Sequence, residues 1–115
     1  MGSPLEELYW AAGFWDGEGS MAATPKPHAS VQQNDPEVLE RFRAAVGVGK
    51  VYGPYVRKEG PSHDGYRRIY NPYWSWALGG VYQVRAFFDL MEPYLGTLKR
   101  EQGNRVLDAY EEMVS

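Results

Sequence analysis

The chain has 115 residues, enough for one domain with a modest core, and its 43% hydrophobic and 15% aromatic content is that of a globular protein, not a disordered one. It contains no cysteine, which excludes disulfides, thiolate metal sites and a cysteine nucleophile, and fits a reducing intracellular compartment. No apolar run is long enough to span a membrane, and the N-terminal segment is acidic and amphipathic, unlike a secretory signal.

The first predicted helix covers Pro4 to Gly17. Ser3 supplies an N-cap, Pro4 suits the first helical position, and Glu6 is the acidic partner of a capping box. Leu5, Leu8, Tyr9, Ala12 and Trp15 recur at helical spacing as one apolar face. Gly13 and Gly17, four residues apart, clear a groove where another helix can approach closely. Two short strands follow, Ser20 to Thr24 and His28 to Gln33, separated at Pro25-Lys26-Pro27, where the prolines block regular pairing. Asp35 and Pro36 start a second helix with Val38, Leu39, Phe42 and Val46 as its buried stripe and Gly47 and Gly49 as its stop. Lys50 to Arg57 and Tyr66 to Leu78 read as a hairpin around a Lys58-to-Gly65 loop, with Gly53, Pro54 and Pro72 disturbing its register. Val81, Val84, Phe87, Phe88 and Met91 mark a third helix closed by Pro93, and Leu98 to Met113 forms a last one through Val106, Leu107 and Tyr110.

One stretch stands out, Ala11 to Ser20. The aligned peptide dipoles leave partial negative charge at a helix C-terminus, so acids there are unfavourable unless a cation or another partner compensates. Asp16 and Glu18 occupy that end, and Glu18 reads as a metal ligand. A solvated turn with ordinary C-cap glycines is the bland alternative.

Ala11-Ala12-Gly13-Phe14-Trp15-Asp16-Gly17-Glu18-Gly19 resembles the nine-residue signature of the LAGLIDADG homing endonuclease family, and the resemblance extends over nearly the whole chain. Ala11 stands where leucine is usual, and Glu18 where many members have aspartate, keeping an oxygen ligand on an arm one methylene longer. The resemblance implies an α+β fold of order α-β-β-α-β-β-α(α) over residues 1–115, an antiparallel four-stranded saddle sheet with helices on one face. It implies Glu18 as the metal-binding catalytic acid, Asp16 and Gly17 in support of the helix end, and dimerisation through Ala12, Gly13 and Gly17. Gln33 matches a polar residue that helps position water near the scissile phosphate, and Lys99 a lysine that polarises solvent or stabilises developing charge. A basic residue often found shortly after the glutamine has no counterpart, since Asp35, Pro36 and Glu37 occupy that region.

The implied activity is a site-specific DNA endonuclease of the intron-homing kind, a homodimer cutting both strands of a long, near-palindromic duplex. Its cofactor is Mg2+, with Mn2+ as an alternative and Ca2+ as a non-cleaving substitute. The setting is the cytoplasm of a prokaryote or an organelle interior. A net charge of −3 is the compositional objection to DNA binding. The distribution answers part of it. Residues 1–19 hold Glu6, Glu7, Asp16 and Glu18 and no Lys or Arg, whereas the strand segments hold Lys26, Lys50, Arg57, Lys58, Arg67 and Arg68 against only Glu59 and Asp64. Strand alternation makes Ser20, Thr24, Lys26, His28, Ser30 and Gln32 candidate DNA contacts, joined from the hairpin by Arg57, Lys58, His63, Arg67, Arg68 and Tyr70. The alternatives are a non-cleaving DNA-binding regulator or RNA splicing maturase on the same fold, and a dimeric protein-interaction module.

Overall fold

Local chemistry sets the ends of the elements. The structure, a computed structural model, describes residues 2–56 and 72–114. Helix α1 spans Pro4–Glu18 and begins where the Ser3 hydroxyl accepts the Glu6 N–H at 3.2 Å. Helix α2, Pro36–Val46, begins the same way, with the Asp35 carboxylate accepting the Glu37 N–H at 2.9 Å, and ends at Gly47 in the left-handed region, φ 78°. Helix α3 covers Val81–Met91, and a 3-10 turn over Glu92–Tyr94 leads to helix α4, Thr97–Val114.

Strands β1 (Ser20–Ala22), β2 (His28–Gln33), β3 (Lys50–Tyr55) and β4 (Tyr73–Gly79) form one antiparallel sheet in the order β1-β2-β4-β3. The element order and the four-stranded sheet are those the sequence implied. Strand β1 is shorter than expected. Pro25 cannot donate to a ladder and restricts Thr24 before it, and the buried Pro27 ties the chain down, so Thr24 and Lys26 lie in the connecting turn and not on a strand face. Strand β3 slips register between Tyr52 and Tyr55, where Gly53 passes so close to Trp74 that an added Cβ would sit 2.7 Å from its ring. The expected Lys58-to-Gly65 loop and the start of the last strand at Tyr66 lie outside the described residues.

Alternation divides the sheet into two unlike faces. Met21, Ala29, Val31, Trp76 and Leu78 point to the helices and are buried. Ser20, Ala22, His28, Ser30, Gln32, Lys50, Tyr52, Ser75 and Ala77 share the opposite face, and none of them is buried. Under the helices an aromatic cluster joins three elements to the sheet. Trp15 and Phe87 ring centres are 5.1 Å apart, Phe42 and Trp76 4.9 Å, and Trp76 and Phe87 5.2 Å. The Trp76 indole N–H is satisfied by the Val48 carbonyl at 3.0 Å. Trp76 is therefore core.

Helix α1 differs from its sequence reading in one respect. Its apolar residues form two stripes instead of one face. Ala11, Ala12 and Trp15 are buried with Leu8 packed against them, whereas Leu5 and Tyr9 remain 49% and 52% exposed beside exposed Gly13 and Gly17. Helical spacing groups residues within a broad arc and does not show where one covered stripe stops.

Candidate active site and nucleic-acid face

The end of α1 is built without any local cation. Asp16 and Glu18 stand in its last turn, which contains no basic residue, so the helix dipole is opposed only by groups brought from elsewhere. They come from the start of α4. The Lys99 ammonium donates to the Gly19 carbonyl at 2.6 Å, and the Gly96 N–H donates to both carboxylate oxygens of Asp16 at 3.0 Å each. Both groups donate from the segment that opens α4 to acceptors at the end of α1, and together they fix one segment against the other. An open cleft of about 250 Å³ lies there, lined by Asp16, Gly96, Thr97, Leu98 and Lys99.

Gly19 is needed for close approach, not for an unusual backbone angle. Its φ of −79° suits any residue, but an added Cβ would fall 2.1 Å from the Trp15 ring. The bulky indole lies over the exit from α1, and the chain can turn into β1 only with a bare Cα.

Glu18 is exposed, and among the described residues it has no hydrogen-bond or ion-pair partner. Asp16 is part-buried and committed to Gly96. The two acids therefore differ in kind: one is a structural acceptor and the other is available to a ligand. Gln33 ends β2 opposite Trp74, half-buried and on the helix side of the sheet by alternation, whereas Gln32 faces outward opposite Ser75. No hydrogen bond joins Gln33 to Glu18 or Lys99. The anchoring of Lys99 to the α1 terminus was not foreseen from sequence, and neither was the Asp16–Gly96 bond; both span 80 residues, a separation at which no local pattern operates.

Of the expected dimer-interface residues, Gly13 and Gly17 are exposed, and a Cβ at either would meet nothing within 4 Å. Ala12 requires correction. It is 1% exposed within the single chain and packs in the core, so its methyl group is not available to a partner helix.

On the outer face of the sheet, Ser20, Ser30 and Gln32 are at least partly exposed, and His28 is half-buried with Nδ1 2.8 Å from the Lys26 carbonyl oxygen. Rows of facing residues cross the strands: Ser20, Ser30, Ala77 and Lys50 in one, Gln32, Ser75 and Tyr52 in the next. Of the strand-segment bases, Lys26 and Lys50 are described and exposed. Arg57, Lys58, His63, Arg67, Arg68 and Tyr70 lie outside the described residues.

This arrangement has close structural counterparts. The homing endonuclease I-CvuI, solved with its DNA target and calcium, superposes with a TM-score of 0.63 at 21% identity, over 94% of this chain and 68% of that one. The archaeal intron-encoded homing endonuclease I-Vdi141I complexed with DNA gives 0.61 at 18% identity, over 96% and 69%. The homing endonuclease I-TnaI gives 0.59 at 22% identity, over 92% and 72%. The fold is that of the LAGLIDADG homing endonucleases, as the signature at α1 implied. No protein-family model and no curated protein sequence matches the chain.

Proposed function

We propose that the protein is a divalent-metal-dependent DNA endonuclease that acts as a homodimer and cuts both strands of a near-palindromic duplex. The observation that carries this reading is the contrast at the end of α1, where Asp16 is tied down and Glu18 is left exposed and partnerless. Carboxylate repulsion at a helix C-terminus is a cost without a structural return here, which is the pattern of a functional group.

The donor chemistry fits magnesium, a hard cation that takes oxygen ligands and commonly shares its shell among a few carboxylates, water and substrate phosphate. Among the described residues no cluster of three or more His, Cys, Asp or Glu could hold an ion alone, so Glu18 of each copy would need the duplex to finish the site. When bound, the metal supplies an oriented water and offsets charge on the attacking and leaving oxygens. The chain's own residues do the rest. Lys99 uses one ammonium proton on Gly19 and keeps others for a phosphate oxygen, and Gln33 offers an amide to solvent.

The open stripe of Leu5, Tyr9, Gly13 and Gly17 supports pairing of α1 with a second copy, since small residues let helix backbones come close. Two-fold pairing brings two Glu18 carboxylates together and predicts a target with matching symmetry. The uncovered polar face of the sheet supports base contact in the major groove. The fold's counterparts include structures bound to DNA with magnesium or calcium present. The test is cleavage of duplexes recovered from a random library by binding in calcium and then transferred to magnesium. The parent is expected to cut them and Glu18→Gln to bind without cutting; equal cutting rates for the two would end the assignment. Binding without cleavage by the parent would instead favour a regulator.

A further inference from the structure

One side chain on the outer sheet face has its hydrogen-bonding polarity fixed by its own loop. The His28 Nδ1 lies 2.8 Å from the Lys26 carbonyl oxygen. A carbonyl oxygen only accepts, so Nδ1 carries the proton of that bond, and in the neutral imidazole Nε2 is left as an acceptor. The loop holding that carbonyl is anchored at the next residue, Pro27. The Pro27 side chain is fully buried, and its carbonyl accepts the Gly80 N–H at 3.1 Å.

The surroundings of the ring leave it reachable. His28 is flanked across the sheet by Ala22 on β1 and Gly79 on β4, and a methyl group added at Gly79 would meet nothing within 4 Å. Among the described residues nothing bonds to Nε2. The preceding turn therefore presents an oriented acceptor between two minimal neighbours, where a longer side chain would have covered it.

We propose that His28 is an acceptor-only base reader. In the major groove it selects a base that presents an exocyclic amine, adenine at N6 or cytosine at N4, and rejects the guanine edge, whose O6 and N7 are both acceptors. The inference rests on the outer face being the duplex-binding face. Ser20, which follows the α1 terminus, pairs with Ser30, and His28 lies two residues further along β2, roughly 7 Å. The base it reads is accordingly away from the centre of the target and occurs once in each half-site.

The experiment is selection of bound fragments from a random duplex library in calcium, with the parent protein, H28A and H28R. The parent is expected to enrich adenine or cytosine at one position per half-site by about fivefold, the low end for a single side-chain contact. H28A levels that position alone. H28R turns it to guanine, because an arginine donates to O6 and N7. The proposal is overturned if H28A returns the parent profile, if the position that depends on His28 is guanine in the parent, or if H28R leaves it unchanged. The H28R readout is a gain, so the result stands even if H28A folds poorly. A parent that retains no duplex at all overturns the DNA-binding reading itself, a result distinct from a retained duplex with no His28-dependent column.

Discussion

Helices α1 and α2 begin alike and end differently. Each opens with a side-chain N-cap followed by proline, Ser3-Pro4 and Asp35-Pro36. Helix α2 then closes with local means: Arg43 in its last turn and Gly47 at a positive φ, whose N–H bonds the Arg43 carbonyl. Helix α1 closes with two acids and an extended Gly19, and its compensating cation, Lys99, arrives from 80 residues away. A terminus that satisfies itself is a matter of stability alone. One that depends on a distant partner couples two parts of the fold, and here it does so beside the acid left exposed.

The comparison can be broken most severely at Glu18. Replacing it with glutamine is expected to lower metal-dependent cleavage on the order of a thousandfold, the loss of several kcal/mol of charge stabilisation. Thermal stability should hold or rise slightly, because a like charge leaves the negative end of the helix. A plasmid-cleavage time course and a melting curve on the same preparation read both effects. A fall in stability together with activity would make Glu18 a structural residue.

Glycine substitutions separate the two ends by cause. Gly19→Ala forces a methyl group into the Trp15 ring and should cost about 3 kcal/mol, the upper end for overpacking. Gly47→Ala has open space around its Cβ but an unfavourable φ of 78°, so it should cost roughly 1 to 2 kcal/mol. Denaturant midpoints measure each. Gly47→Asn should recover part of the loss and Gly19→Asn none, since asparagine tolerates the left-handed region but brings a larger side chain toward the indole.

The cations sharpen the contrast. Lys99→Met removes a charge-assisted bond across the fold and is expected to cost about 2 kcal/mol. Arg43→Met on α2 removes an exposed ion pair with Glu40 and should stay within about 0.5 kcal/mol. If the two variants unfold at the same denaturant concentration, the dependence of α1 on α4 is weaker than its geometry indicates.

Particular residues show what was legible and why. The N-caps, the α2 and α3 stripes of Leu39, Phe42, Val46, Val84, Phe87, Phe88 and Met91, and the bounds of β2 could all be read from the chain, because each rests on contacts within a few residues or on a repeat with a fixed period. The end of β1 was misjudged because alternation continued through Ala23 and Thr24 while the prolines had already ended pairing. Ala12 was misplaced because a helical repeat does not say which of two adjacent stripes meets the core.

Sequence alone determined the order of elements, the buried stripes of α2 and α3 and the presence of two acids at the end of α1, since these follow from backbone geometry and short-range spacing. Tertiary structure alone decided that Asp16 is bound to Gly96 while Glu18 is exposed, and that Lys99 answers the α1 dipole. Hydrogen bonds between segments distant along the chain leave no periodic mark on it, and only the packed core brings their donors and acceptors within reach.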